Sequence, residues 1–168
     1  ETRILTGTNN GDIYIVQSTS FKPMRISQSH KGAVLAVDYP KDVSDKFATI
    51  SDDGILRYWD ATDYSVVTEA KFKGKSIPMC IAFVYDVIIA GFSDGSVKSV
   101  DTVTGETLWE ISQAHRAPIT AIAVANNEKF FVTGGQEGEL RVWAMKNREL
   151  VNTFKEHRQV ITEIVLFS

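Results

Sequence analysis

The sequence predicts an all-β chain built from repeated four-stranded units, and three observations predict it. One short phrase occurs four times, as NNGDIYIV, DDGILRYW, SDGSVKSV and QEGELRVW, with its glycines at Gly11, Gly54, Gly95 and Gly138 and spacings of 43, 41 and 43 residues. A second phrase interleaves with it: SHKGAVLAVDY from Ser29, AHRAPITAIAV from Ala114 and EHRQVITEIVL from Glu156, with GKSIPMCIAF from Gly74 filling the gap. Between these phrases, runs such as Val34 to Asp38, Phe47 to Ile50, Ile55 to Trp59 and Ser65 to Ala70 are β-branched or aromatic and bounded by turn residues, with no helical periodicity. A repeat of about 40 to 45 residues made of short strands is a β-propeller blade, because helical repeats of that length lack such turn signals.

The elements follow in order. The chain enters at a second strand, Arg3 to Thr6, runs through three whole blades and leaves after a first strand, Val160 to Leu166. The expected units are an incomplete blade over 1–27, blades over 28–72, 73–112 and 113–155, and the first strand of a further blade over 156–168. The Asp-Asp-Gly, Ser-Asp-Gly and Glu-Gly pieces join second to third strands, since glycine accepts a positive φ without steric cost. About four blades' worth of strands would leave an open arc with uncovered sheet edges. A segment of a larger propeller, completed by remaining blades of the same chain or by a second copy, is therefore expected.

Composition narrows the function. With 43% hydrophobic and 23% charged residues among 168, the chain has enough apolar residue for a buried core. No apolar run reaches the roughly 20 residues of a membrane helix, and ETRILTGTNNGD lacks a signal-peptide layout, so no membrane association and a cytoplasmic setting are expected. A net charge of −3, with KFKGK at Lys71 to Lys75 as the densest basic stretch, gives no reason to expect nucleic acid. The single cysteine, Cys80, can close no internal disulfide.

The two phrases resemble the WD40 family, whose repeat pairs a Gly-His-like step before the first strand with a Trp-Asp dipeptide closing the third. The likeness covers essentially the whole chain. The His positions are His30, His115 and His157, and the Trp positions are Trp59 and Trp143, with Val16 and Val100 standing where tryptophan would be; only Trp59-Asp60 is a full dipeptide. Within the family, SDGSVKSVDTVTGETLWEISQAHRAPITAIAVANNEKFFVTGGQEGELRVW is similar to WD-repeat proteins of ciliary and flagellar axonemes and their centriolar relatives, through the AHR-x-x-ITAIA step and the GG-x-EGE-x-RVW turn. That resemblance implies a non-enzymatic scaffold in the axoneme and cytoskeleton, with tubulin or other axonemal proteins as partners and no cofactor. An adaptor or substrate receptor in an unrelated cytosolic complex is the alternative, because fold alone does not fix function. A hydrolase is the outside candidate.

The hydrolase idea comes from His30, Ser51 and Asp53, which look like the parts of a nucleophilic triad. Spacing argues against it: Ser51 lies two residues before Asp53 and Trp59 six after, which matches the family's structural tetrad of His30, Ser51, Asp53 and Trp59 in one hydrogen-bond chain. Nothing marks an oxyanion hole. The tetrad is expected to decay along the chain, with Gly74, Phe92 and Val100 replacing His, Ser and Trp in the next blade, and Gly135 and Glu137 in the middle of the one after. The histidines lie about 40 residues apart at equivalent blade positions, so they are not expected to share a metal. Gly134-Gly135 belongs to neither GxxxxGK[ST] nor GxGxxG, so no nucleotide is expected. The aromatics Phe47, Phe83, Trp109 and Phe154 are expected in the core, with Trp109 only half covered on an outer strand.

One pattern is not required by the fold. The residue after each His position is basic, Lys31, Lys75, Arg116 and Arg158, at spacings of 44, 41 and 42. Their loops should share one face, where an arc of positive charge could dock an acidic partner, with Asp52, Ser93 and Gln136 contributing selectivity. Four solvated loop residues account for the pattern equally well.

Overall fold

The structure, a computed structural model, describes residues 3–28, 30–41, 43, 45–72 and 74–166. Residues 1, 73 and 168, where expected unit boundaries fall, lie outside the described residues, as does Ser29. Among the described residues, fifteen strands form four antiparallel sheets. The first holds β1 (Arg3–Gly7), β2 (Asp12–Gln17) and β3 (Pro23–Gln28). The second holds β4 (Val34–Asp38), β5 (Lys46–Ser51), β6 (Ile55–Asp60) and β7 (Val66–Lys71). The third holds β8 (Pro78–Val84), β9 (Val87–Phe92), β10 (Val97–Asp101) and β11 (Thr107–Ile111), and the fourth β12 (Ile119–Val124), β13 (Phe130–Gly135), β14 (Leu140–Ala144) and β15 (Leu150–Phe154). Each pairs its strands in chain order, the up-and-down meander of a propeller blade.

Local chemistry sets these elements. Gly11, Gly54, Gly95 and Gly138 sit at φ of 79°, 78°, 79° and 81°, and each closes the turn between the second and third strands of its blade. An L-residue there would bring its Cβ against the backbone, so glycine is the residue the turn selects. Pairing between the last two strands slips once per blade, at Ile13/Tyr14, Tyr58/Trp59, Ser99/Val100 and Val142/Trp143. The slip falls at the same repeat position in the last three sheets and two residues earlier in the first, and such bulges increase local twist.

The apolar faces of neighbouring sheets meet to make the core, which therefore lies between blades. Phe47, Trp59 and Ile13 pack with Leu5 and Val34 between the first and second sheets. Ile50, Leu56, Ile81, Ile88 and Phe92 fill the space between the second and third, and Ile89, Val97, Ile119, Phe131 and Trp143 that between the third and fourth. Phe47 stacks on Trp59 at 5.5 Å and Phe131 on Trp143 at 6.2 Å, the same pair in two blades. A second repeated contact sits beside it. In the second strands, Gly7, Gly91 and Gly134 leave no room for a Cβ, because Val34, Ile119 and Ile161 of the following unit occupy that space. At the equivalent position of the second blade stands the fully buried Ile50, and Pro78 stands where the others have the β-branched residue.

Two expectations are corrected. Val160 to Leu166 is not a strand: the segment buries Ile161 against Gly134 and is held by Ile161 N–H donating to Gly135 and by the Thr120 hydroxyl donating to Ile161, but among the described residues no strand pairs with it. Phe154 is 44% exposed, because it sits on the outermost strand of the fourth sheet, which no further sheet covers among the described residues. Phe47 is buried, and Phe83 is partly buried against the core between the second and third sheets. Trp109 is half-buried near Phe131, with the Arg148 guanidinium 5.4 Å from its ring centre.

Candidate interaction face and its supporting network

The first strands β4, β8 and β12 all start at one end of their sheets, so the loops before them share that face with the turns after β1, β5, β9 and β13. The two sets are bonded together within each blade. The backbone N–H of Asp52, Ser93 and Gln136 donates to the carbonyl of Ala33, Ile77 and Pro118, the residue just before each first strand. The sequence-derived selectivity residues therefore hang beside the loops that carry Lys31, Lys75 and Arg116. Lys31, Lys75, Arg116 and Arg158 are all exposed, and among the described residues none has an ion pair.

A buried polar network supports this face. His30 Nε2 lies 2.8 Å from Thr49 Oγ1, and the Trp59 indole N–H donates to the same oxygen at 2.9 Å. His30 Nδ1 lies 3.1 Å from Asp53 Oδ2, and Asp53 in turn accepts the backbone N–H of Lys31 at 3.0 Å and of Ile55 at 3.0 Å. The network thus ends on the loop that presents Lys31. The expected tetrad is corrected at one member: the hydroxyl joining His30 to Trp59 belongs to Thr49, not Ser51. Thr49 lies opposite Arg57 in the β5–β6 ladder, deep in the sheet, whereas Ser51 ends the strand and its Oγ accepts the Asp53 N–H at the turn. No hydrogen bond joins Ser51 to His30 among the described residues, so the triad grouping is not assembled either.

The network is also not confined to one blade. In the fourth, His115 Nε2 lies 2.7 Å from Thr133 Oγ1, the Trp143 indole donates to that oxygen at 2.8 Å, and His115 Nδ1 lies 2.9 Å from Glu137 Oε1. The expected decay there is overturned, because Glu137 reaches where aspartate stands in the second blade and Gly135 is not a member. The third blade does lack the chain: Asp94 accepts from Ser96 N–H and Oγ–H and caps its own turn.

Electrostatics disfavour the charged form of both rings. Burial lowers the His30 pKa, and the Arg57 guanidinium, whose Nη1 is 2.5 Å from Nδ1, lowers it further against the pull of Asp53. Burial likewise lowers His115, against the pull of Glu137. Burial pushes Asp53 upward, but the Lys31 N–H and His30 together hold it below the usual carboxylate range. Arg57 was missed by sequence reasoning, and so were its counterparts Lys98 and Arg141. All three stand two residues before the Trp position, and that recurrence in LRYW, VKSV and LRVW was the available signal. Each is paired, Arg57 with Glu69 at 2.8 Å, Lys98 with Glu110 at 3.4 Å and Arg141 with Glu139 at 2.6 Å. This second row of cations is neutralised, while the loop row is not.

Among the described residues no three His, Cys, Asp or Glu cluster as metal ligands, and no helix is long and apolar enough to cross a membrane. Burial pushes the Cys80 thiol up to about 12.

Repeated four-stranded blades, a shared Trp-hydroxyl-His network and turn glycines at matching φ define a WD40-repeat β-propeller chain, and family models agree. Residues 21–60 match the WD domain, G-beta repeat, and residues 85–166 match the Anaphase-promoting complex subunit 4 WD40 domain. The chain is similar to Cilia- and flagella-associated protein 52 of Homo sapiens, 30% identical over 164 residues that cover 95% of this chain and 26% of that protein. The protein of the same name from Chlamydomonas reinhardtii is 28% identical, covering 90% of this chain and 25% of its own length. The chain thus spans about a quarter of the length of the curated relatives it matches. A solved chain from "Crystal Structure of Mitotic Checkpoint Complex" superposes with a TM-score of 0.83 over 95% of this chain and 48% of its own, at 12% identity, a likeness of fold alone.

Proposed function

We propose that this chain is a non-catalytic, protein-binding scaffold of the ciliary and flagellar axoneme that docks an acidic partner, tubulin or another axonemal protein, through its basic loop face. The observation that carries the proposal is the row Lys31, Lys75, Arg116 and Arg158, exposed and free of ion pairs among the described residues while the cations one row out are neutralised. Unpaired charges on a rim act chiefly on association rate and salt sensitivity. The similarity to the cilia- and flagella-associated proteins supports the ciliary and flagellar setting of this reading. Replacing all four by glutamate should abolish most co-pelleting with microtubules at low salt, with a smaller difference at high salt. Unchanged co-pelleting at low salt would remove the basic face from the binding surface. An adaptor in an unrelated complex is favoured by one observation, the match of residues 85–166 to a domain of the anaphase-promoting complex. Binding that survives in extracts without microtubules, and is lost in the fourfold variant, would favour it.

A further inference from the structure

Strands in each sheet alternate in direction, so the turns after β2, β4, β6, β8, β10, β12 and β14 gather at the end opposite the basic loops. Among the described residues the four most exposed large hydrophobic side chains all stand at that end: Val103, Tyr85, Phe21 and Tyr39, at 78%, 75%, 72% and 68%. The loops at the basic end expose only Val160, at 43%. The third blade combines two of the four with charge of a single sign. Thr102 donates both its N–H and its hydroxyl to the Asp86 carbonyl, at 3.3 and 2.7 Å, which ties the turn carrying Val103 to the turn carrying Tyr85. Residues 84–87 and 101–107 also bring Asp86, Asp101 and Glu106 and no lysine, arginine or histidine. Asp86 and Glu106 are exposed, and none of the three carboxylates has an ion pair among the described residues. The neighbouring blades mix their charges at this end, the second with Lys41 and Lys46 and the fourth with Lys129, Lys146 and Arg148.

We propose that this end of the third blade binds a lysine- or arginine-rich segment of a partner protein, whose alkyl stems lie along Tyr85 and Val103 while its charged ends meet Asp86, Asp101 and Glu106. The surface is opposite the basic face and of opposite sign, so it takes a second partner and stands independently of the function proposed above. Single exposed apolar residues are ordinary, but the two most exposed in the molecule, on turns bonded to one another, mark a contact surface. The surrounding charge selects the occupant. Three unpaired carboxylates repel an acidic protein or a nucleic acid, whereas a cation gains both from them and from the face of the Tyr85 ring. Lysine and arginine also carry long apolar stems, which suit Val103. Tyr85 is presented in a fixed pose: its φ is 49°, a conformation bulky L-residues rarely adopt, and its hydroxyl is hydrogen-bonded to Glu128 of the fourth blade.

The test titrates the protein with an arginine-rich heptapeptide and, separately, with its glutamate-rich counterpart, each followed by backbone amide shifts. The arginine-rich peptide should move Tyr85, Asp86, Val103 and Glu106 most, and the glutamate-rich one should leave them in place. Tyr85→Ala should weaken binding of the arginine-rich peptide about tenfold, a difference of about 1.4 kcal/mol. Tyr85→Phe keeps the ring, gives up only the hydroxyl's bond to Glu128, and should bind nearly as well as the native protein. Asp86→Lys combined with Glu106→Lys should also cost about tenfold, and Glu149→Lys on the fourth blade distinctly less. All four positions are exposed, and melting temperatures close to that of the native protein show that each variant folds. Shifts centred on another blade, or a Tyr85→Ala variant that binds as tightly as the native protein, would reduce the surface to diffuse charge attraction and overturn the proposal. Failure of the arginine-rich peptide to bind would overturn it as well. Shifts at Tyr85 that change with protein concentration in the absence of peptide would make the occupant a second copy of this chain and overturn the partner proposed. The glutamate-rich peptide reports on the basic face alone, so failure there is read separately.

Discussion

Thr49 and Thr133 each hold two ring systems together with one hydroxyl, accepting an indole N–H while facing an imidazole nitrogen. Thr49→Val keeps the shape and strands both rings, so it should lower stability by about 1 to 3 kcal/mol, as should Trp59→Phe. Ser51→Ala loses only contacts local to the turn, the hydrogen bond from Asp53 N–H and a long one to Asp52 Oδ1, and should cost less; urea melts of the three variants check the order. The hydroxyl's identity was not legible in the sequence, because Ser51 and Thr49 both precede Asp53 on the same side of one strand. Only depth in the sheet, which the ladder opposite Arg57 sets, separates them. His30 and His115 also dictate a pH response. Both have folded pKa values below the usual 6.5, chiefly through burial, so the unfolded chain takes up protons first as pH falls. Their contribution is present above pH about 6.5 and should be lost progressively below it, seen as a falling melting temperature that flattens when both residues are replaced by glutamine. Cys80, its thiol raised to about 12, should resist thiol reagents at pH 8 until the protein unfolds.

At the scale of strands and turns, the glycine turns differ in what stands over them. Gly54→Ala meets no other atom among the described residues and should cost chiefly what a left-handed L-residue costs, about 1 to 2 kcal/mol. Gly95→Ala adds a collision with the His115 carbonyl and should be clearly worse; paired denaturant titrations measure the gap. Most strands were legible because alternation, β-branched content and turn chemistry agree at each one. Val160 to Leu166 carries the same local signals and still forms no strand, since a strand is defined by a partner and composition cannot supply one. The exposed Phe154 has the same origin. Lys98 and Arg141 show the converse: their recurrence was readable, but only the ion pairs with Glu110 and Glu139 reveal that they are neutralised.

Over the whole molecule, the arrangement is a row of sheets whose cores lie between neighbours, with its charge sorted by loop. The fourfold glutamate variant should keep its melting temperature nearly unchanged, because exposed loop charges usually contribute less than about 0.5 kcal/mol each. A large drop would mean that Lys31, Lys75, Arg116 and Arg158 hold the fold rather than meet a partner. The packing between sheets carries one more meaning. Gly7, Gly91 and Gly134 each receive Val34, Ile119 or Ile161, while the second sheet presents Ile50 toward a unit that begins with Pro78. These shapes amount to a grammar of succession: a unit that opens with a bulky residue can follow only one that leaves a space for it. A chimera in which the second unit is spliced directly ahead of the fourth would drive Ile50 into Ile119, and should refold only after Ile50→Gly restores the vacancy. The chain's linear order is in this way written into its side-chain volumes, independently of the loops that connect one unit to the next.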